Sequence, residues 1–166
     1  MTTTVLSKKT RGNAFVKISG DEYLNPAFRI WVRELASRYF VVICVGGGTQ
    51  VNEEYARRGF PVKKHGPMGR EAENLEQRQV ARDVLEANQA ALQDRLAVEG
   101  IFVTVEIPVL MIGTVLCHVN GDQMVRSAYL GFEKLFVITT PERLENKRQQ
   151  FSDLSERVEV IAFPHT

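Results

Sequence analysis

One segment, residues 41–50, constrains the fold of this chain more than any other. The run Val41-Val42-Ile43-Cys44-Val45 is apolar and mostly β-branched, and the triplet Gly46-Gly47-Gly48 follows it directly. A polar segment with helix-forming residues, 51–58, comes next. This pattern predicts a buried strand, then a turn whose backbone a ligand can approach closely, then a helix that begins at the turn. We call the three glycines the glycine loop.

The glycine loop is suited to an anion, because backbone N–H groups and a helix dipole would both face the turn. The dipole contributes only about 0.3–2 kcal/mol. Even a ligand of millimolar affinity needs roughly 4 kcal/mol of binding free energy. A binding site here therefore requires charged side chains from elsewhere, and without them the segment is simply a tight strand-to-helix turn.

Composition limits the classes of partner. The chain has 166 residues, of which 44% are hydrophobic and 25% charged, as in an ordinary soluble globular domain. Its 21 basic and 20 acidic residues give a net charge of +1, so we expect neither nucleic acid nor a membrane as a partner. No apolar stretch is long enough to span a bilayer.

The two cysteines suggest a cellular location, and the N-terminal residues suggest a domain boundary. Cys44 and Cys117 are isolated in apolar strand-like runs, which suits a reducing compartment, and we expect a cytoplasmic protein. Residues 1–13 are basic and rich in threonine, and they are predicted to form a disordered leader. Residues 14–166 are predicted to form a single domain.

Strand-like and helix-like segments alternate along that domain. Strands are predicted at 15–19, 41–45, 102–109, 111–119, 134–139 and 158–163, and helices from Asn25-Pro26, at 51–58, 71–98, 120–130 and from Thr140-Pro141. This order predicts an α/β fold, namely a three-layer αβα sandwich with a mainly parallel central sheet. Ligands of such sheets bind at the carboxyl ends of strands. Three candidate loops follow strands: the loop after Lys17, the glycine loop, and Asn120-Gly121-Asp122.

Five motifs in this order resemble the amino acid kinase superfamily, which includes acetylglutamate, aspartate, carbamate and uridylate kinases. They cover roughly residues 14–140. The motifs are Val16-Lys17-Ile18-Ser19-Gly20-Asp21; Val45-Gly46-Gly47-Gly48; Gly66-Pro67-Met68-Gly69-Arg70; the helix from Asn88 to Leu96; and Asn120-Gly121-Asp122 followed by Lys134-Leu135-Phe136-Val137-Ile138-Thr139-Thr140. In the first motif, Ser19 and Asp21 depart from the usual Gly and Ser.

The resemblance implies a carbamate kinase-like fold and a site for phosphoryl transfer. Lys17 would hold the transferred phosphoryl group, Asp122 would orient Lys17, and Asn120 would contribute to substrate binding. The glycine loop, Gly46, Gly47 and Gly48, would donate backbone hydrogen bonds, and Arg70 would clamp a carboxylate or phosphate of the acceptor. ATP and Mg²⁺ would be cofactors, the acceptor would be a small molecule or a nucleotide, and the protein would be a homo-oligomer.

Each of these residues also has a purely structural interpretation. Lys17 could be a strand-end lysine that reaches solvent, Arg70 a surface loop residue, and Asp122 a helix N-cap. Asn88 is interpreted first as a satisfied polar group of the core, with a substrate contact as the alternative. His65, His118 and His165 share no spacing typical of metal ligands, and no metal site is predicted.

The chain also departs from the family pattern. After Thr140 we expect only one helix and one strand in place of the family's C-terminal nucleotide-binding lobe. Lys147 is interpreted first as a solvated helix lysine, with a stand-in for the second phosphate-binding lysine of that lobe as the alternative. The region before Asn120 is expected to lack the hairpin that many members place over the acceptor. Two hypotheses follow: a small phosphotransferase of the uridylate or amino acid kinase type, or a shortened, non-catalytic relative that serves binding, regulation or assembly.

Two other nucleotide-binding patterns do not fit. The segment after residue 45 lacks the third spaced glycine of a dinucleotide-binding turn, and no acidic strand end follows at the expected distance. The P-loop pattern is absent as well.

Overall fold

A computed structural model of the chain describes residues 11–164. These residues form seven strands and five α-helices, with short 3₁₀ turns at Pro141–Arg143 and Ser152–Leu154. The elements in chain order are β1 (Gly12–Ile18), α1 (Pro26–Arg38), β2 (Tyr39–Val45), α2 (Gly48–Arg57), α3 (Leu75–Val98), β3 (Thr104–Glu106), β4 (Val109–Ile112), β5 (Val115–His118), α4 (Gly121–Ala128), β6 (Lys134–Thr139), α5 (Leu144–Gln150) and β7 (Val158–Ala162).

Five of the strands form one parallel sheet in the order β3-β2-β1-β6-β7. Strand β1 lies at its centre, with β2 and then β3 on one side and β6 and then β7 on the other. The order therefore reverses between β1 and β6, which is the position where open α/β sheets leave a crevice for ligands. Lys17 lies opposite Cys44 of β2 and Val137 of β6, at the carboxyl ends of all three strands.

The two faces of the sheet carry separate apolar clusters. Val16 and Ile18 of β1 pack with Phe28 and Val32 of α1 and Leu92 of α3. On the opposite face, Phe15, Leu135, Val137 and Val160 pack with Val125 of α4 and with Phe151. Helices thus cover both faces, as the three-layer prediction requires. Because side chains alternate along a strand, Lys17 shares the Phe15 face, next to α4.

Helix α2 packs on α3 rather than on the sheet. Val51 and Tyr55 of α2 form a buried cluster with Val80, Ala81 and Leu85 of α3. The hydroxyl group of Tyr55 donates a hydrogen bond to the carbonyl oxygen of Gln77 at 2.6 Å. The long helix α3 therefore positions the glycine loop, from which α2 begins.

Two predicted boundaries shift for identifiable reasons. Helix α3 begins at Leu75 rather than at residue 71, because the side chain of Asn74 accepts a hydrogen bond from the backbone N–H of Gln77 and so caps the helix. Strand β1 begins at Gly12, so residues 12 and 13, predicted to belong to a disordered leader, pair with β2. Residues 1–10 of that predicted leader lie outside the described residues.

The expectation that the chain lacks a hairpin before Asn120 is wrong. Strands β4 and β5 form a two-stranded antiparallel hairpin. Gly113 lies in the turn between them with a positive φ of 61°, a conformation that glycine adopts without a steric penalty. The sequence analysis predicts two strand-like runs here, with interruptions at Pro108 and Gly113. These runs instead form a short strand of the main sheet, β3, followed by this hairpin.

Within residues 11–164, none of the helices is both long enough and apolar enough to cross a membrane. The cytoplasmic location and the homo-oligomeric state remain predictions.

The backbone of Gly20 lies very close to the backbone of the glycine loop, and this close packing gives the first testable prediction. A Cβ atom at Gly20 would lie 2.8 Å from the carbonyl oxygen of Gly46 and 2.7 Å from the Cα atom of Gly47. A Cβ atom at Gly48 would meet only His65, at 3.7 Å. We expect Gly20→Ala to lower the free energy of unfolding by about 1–3 kcal/mol.

The matched variant Gly48→Ala should change that free energy by no more than about 0.5 kcal/mol. Urea denaturation of both variants measures the difference. Equal stability of the two variants would contradict the packing described here.

Candidate functional site

A cavity of about 210 Å³ lies at the carboxyl ends of β1, β2 and β6. It brings together all seven site residues that the sequence predicts, from four separate segments of the chain. The lining residues are Lys17, Ser19, Gly20, Gly46, Gly47, Gly48, Val51, His65, Arg70, Leu85, Pro108, His118, Val119, Asn120, Gly121, Asp122, Thr139, Arg143 and Lys147.

Lys17 reaches this cavity along the N-terminus of α4. Its side chain is only 12% exposed. A Cβ atom at Gly121 would lie 2.9 Å from Cε and 3.3 Å from Cγ of Lys17. The absence of a side chain at Gly121 therefore makes room for the stem of the lysine.

The ammonium group of Lys17 has no hydrogen-bond acceptor within residues 11–164. The nearest carboxylate oxygen, Oδ1 of Asp122, lies 3.8 Å from Nζ, which is beyond hydrogen-bond distance. Burial lowers the pKa of Lys17; Asp122 opposes this effect, while Lys147 adds to it. A buried cation with unused donors is costly unless a ligand or water supplies acceptors. This group is therefore poised to bind an anion.

Asp122 lies between Lys17 and a second lysine, Lys147, which the sequence analysis interpreted as exposed to solvent. Its Oδ2 atom accepts hydrogen bonds from Lys147 Nζ at 2.5 Å and from Gln150 Nε2 at 2.9 Å. The Lys147 side chain is only 20% exposed, so the interpretation as a solvated lysine is wrong. Burial works against ionisation of Asp122, but the two lysines hold its pKa below the ordinary value. Asp122 therefore stays ionised between two cations.

The cap of α4 is Asn120 rather than Asp122. The side-chain oxygen of Asn120 accepts a hydrogen bond from the backbone N–H of Asp122 at 3.2 Å. This contact frees the Asp122 carboxylate for the lysines, so the interpretation of Asp122 as an N-cap is wrong. Asn120 lines the cavity as well, and its role in substrate binding remains a prediction.

The three glycines of the glycine loop have different surroundings. A Cβ atom at Gly47 would lie 2.7 Å from Nδ2 of Asn88 and 2.9 Å from Cδ2 of Leu85, so close packing on α3 favours glycine there. Asn88 is buried, and its Nδ2 donates to the carbonyl oxygen of Gly46 at 3.1 Å, which confirms its interpretation as a satisfied core group. A Cβ atom at Gly48 would meet only His65, at an ordinary contact distance of 3.7 Å, and α2 begins there without a side-chain cap.

Arg70 is held in a fixed position on the cavity wall. Its Nη2 donates to Oδ1 of Asn52 at 2.9 Å and more weakly to the carbonyl oxygen of Gly48 at 3.4 Å. The guanidinium carbon lies 5.1 Å from the centroid of the Tyr55 ring, a cation–π contact. These contacts leave Nε and Nη1 of Arg70 without a hydrogen-bond partner among the described residues. Arg70 is thus a half-buried, preorganised cation rather than a loose surface residue.

His118 is a lining residue that the sequence analysis did not select. It is buried, and its Nε2 atom lies 2.9 Å from the carbonyl oxygen of Arg78. A carbonyl oxygen only accepts, so Nε2 carries the proton. Burial lowers the pKa of the ring, which stays neutral near pH 7 and leaves Nδ1 as an acceptor without a partner in residues 11–164. His118 ends β5 of the unexpected hairpin, so no local pattern could have placed it here.

The charge of the cavity wall is strongly positive. Lys17, Arg70, Arg143 and Lys147 supply four cations against one carboxylate, that of Asp122. The uncapped N-terminus of α2 adds unpaired N–H groups and a positive dipole end. Such a wall suits a group with several anionic oxygens, above all a phosphate.

The expected Mg²⁺ does not fit the residues of the wall. Within residues 11–164, no group of three or more His, Cys, Asp or Glu residues could hold a metal ion. Asp122, the carboxylate of the wall, is already paired with two lysines. His165, discussed above, lies outside the described residues.

Comparisons with known proteins identify no relative of this chain. No family model matches it, and no curated protein or solved structure matches it either. The resemblance to amino acid kinases therefore depends on the five motifs.

The position of Asp122 between two lysines predicts the effect of removing its charge. In Asp122→Asn, two half-buried ammonium groups would face each other without a counter-ion. We expect the free energy of unfolding near pH 7 to fall by about 3–5 kcal/mol. Phosphate should restore part of this loss, because it replaces the missing negative charge. Denaturant unfolding with and without phosphate measures both effects.

Asp153→Asn is the matched control, because Asp153 forms an ion pair with Arg126 on the surface. It should cost no more than about 1 kcal/mol. The folded-state pKa of Asp122 is lowered, so its stabilising effect is present above the unfolded-state pKa and is lost as the pH falls through the folded-state value. Asp122→Asn and the wild type should therefore converge in acid, and a constant gap down to pH 2 would contradict the assignment.

Proposed function

We propose that this chain binds a phosphate-bearing small molecule, with the phosphate between Lys17 and the glycine loop. The observation that carries the proposal is the ammonium group of Lys17, which is buried at the cavity and hydrogen-bonds to no acceptor in residues 11–164. A phosphate would supply the missing acceptors and the missing negative charge together. The backbone N–H groups at the start of α2 would bind its other oxygens.

The excess of positive charge favours a phosphate over a neutral ligand. Bringing a neutral molecule into the cavity would displace water from four cations without supplying a negative charge in return. A phosphate offers more charge and more oxygens than a carboxylate, and the planar fork of Arg70 can bind either group. We therefore expect a ligand with a carboxylate in place of the phosphate to bind more weakly at the same site.

Phosphoryl transfer is a second candidate function, favoured by one observation. Lys17 and Lys147 both approach the carboxylate of Asp122, so two cations converge at one end of the cavity. Catalysis of phosphoryl transfer consists mainly of positioning and of neutralising developing charge. In an amino acid kinase-like fold, Lys17 would neutralise the transferred group and Arg70 would hold the acceptor. A non-catalytic relative would use the same contacts for binding alone.

The proposal predicts that Lys17→Met weakens phosphate binding without unfolding the protein. We expect the dissociation constant for inorganic phosphate, measured by titration calorimetry, to rise at least about tenfold, which is roughly 1.4 kcal/mol. Thermal stability should stay constant or increase, because a buried charge without a hydrogen-bond partner is removed. Lys134→Met, at the amino end of β6 and exposed, is the matched control and should bind as the wild type does.

An unchanged affinity in Lys17→Met would remove Lys17 from the site, and a large loss of stability would make it structural. Phosphoryl transfer is tested separately, by phosphorus NMR of the chain with Mg-ATP and UMP. Lys17-dependent formation of UDP would support the transferase. Binding of UMP without turnover would support the non-catalytic relative.

A further inference from the structure

A second cavity adjoins the first on its outer side. It has a volume of about 400 Å³, and we call it the outer cavity and the first one the inner cavity. Gly48, His65 and Arg143 line both, so the two meet at the start of α2. The outer cavity is lined by Gly48, Thr49, Asn52, Val62, Lys63, Lys64, His65 and Arg143.

The wall of the outer cavity carries positive charge and no carboxylate. Three of its residues are cationic: Lys63, Lys64 and Arg143. Lys63 forms an ion pair with Glu73. Lys64 and Arg143 form no ion pair and donate no side-chain hydrogen bond within residues 11–164. Two cations of this cavity are thus uncompensated by the part of the chain that the structure describes.

Arg143 links the two cavities electrostatically. It lies in the 3₁₀ turn Pro141–Arg143, directly after β6, and lines both cavities. Its positive charge also acts on Lys17, where it disfavours the ammonium form. Arg143 and the inner lysines therefore repel one another when the cavities contain no anion. A single phosphate at Lys17 would leave Lys64, which lines only the outer cavity, without a counter-ion.

We propose that the ligand carries two separate anionic groups, one in each cavity. The first is the phosphate at Lys17 and the glycine loop. The second, a phosphate or a carboxylate, lies between Arg143 and Lys64, and the atoms that join the two groups pass beside Gly48, which lines both cavities. The inference rests on the proposed function, since it assumes the inner phosphate, and it narrows the ligand to a small molecule with two anionic groups, such as a bisphosphate.

The second anionic group adds to the affinity of the ligand because it is covalently attached to the first. An exposed pair of cations binds a free anion weakly, because water and salt screen the attraction. A second anion that is attached to a bound phosphate instead arrives at a high effective concentration. The alternative role for Arg143 and Lys64 is simple attraction of anions from solution, which would favour monophosphates and bisphosphates alike.

The test compares monophosphates with bisphosphates of increasing length by titration calorimetry at about 0.15 M salt, where the Debye length is roughly 8 Å. The probes are inorganic phosphate and fructose 6-phosphate on one side, and pyrophosphate, 2,3-bisphosphoglycerate and fructose 1,6-bisphosphate on the other. We expect at least one bisphosphate to bind the wild-type chain about tenfold or more tightly than either monophosphate, well above the factor of two that two equivalent ends give.

Substitutions in the outer cavity test where the second anionic group of the ligand binds. The double variant Lys64→Ala/Arg143→Ala should reduce that preference to about twofold. Because Arg143 also lines the inner cavity, the single variant Lys64→Ala is the one in which the affinity for inorganic phosphate should change by less than about threefold. Arg148→Ala is the matched control: it removes an exposed arginine of α5 that lines neither cavity, and it should keep the preference.

The outcomes separate this inference from the proposed function. If inorganic phosphate and both phosphosugars all fail to bind, the proposed function itself is wrong. If monophosphates bind through Lys17 but no bisphosphate binds more than about threefold more tightly, the proposed function stands and the two-anion inference is overturned. A preference that survives in the double variant also overturns it, because the second group then lies elsewhere.

Discussion

The ammonium group of Lys17 is the constraint on which the rest of the site depends. Burying a charge is costly, and the cost falls only where an opposite charge and hydrogen-bond partners are close. Asp122 supplies the charge at 3.8 Å but no hydrogen bond: its Oδ1 atom, the one nearer Lys17, is buried without a hydrogen-bond partner in residues 11–164, while Oδ2 accepts from Lys147 and Gln150. The unused donors of Lys17 consequently face the cavity. Gly121, at the start of α4, leaves room for this one side chain.

The topology explains why the remaining cations converge there. Strand β1 lies at the centre of the sheet, and the chain order reverses between β1 and β6, so the loops after β1, β2 and β6 open onto one crevice. The loop after β2 supplies the glycine loop, and the segments after β6 supply Arg143 and Lys147. Arg70 comes from a different source: its backbone N–H donates to the carbonyl oxygen of His118, which ties the segment to the hairpin. The site thus combines the sheet with the β4–β5 hairpin.

Sequence reasoning located the parts of the site that local patterns determine. An apolar strand run and a following polar turn fix the carboxyl end of a strand, so Lys17, the glycine loop and Asp122 could be placed at one edge. Lys147, Arg143 and His118 could not be found in this way. The first depends on how α5 packs against α4, and the last on a hairpin whose two-residue turn contains Gly113. Only the tertiary contacts bring these three residues to the cavity.

The most direct test of the account is a crystal structure of the chain with inorganic phosphate. The account predicts a tetrahedral anion in the inner cavity, with oxygens about 2.8 Å from Nζ of Lys17 and within hydrogen-bond distance of the backbone N–H groups at the start of α2. Lys17 would keep its place beside Asp122. An inner cavity without the anion, with Nζ of Lys17 hydrogen-bonded to a protein acceptor or turned out to solvent, would contradict the central claim that this lysine is held ready for a phosphate.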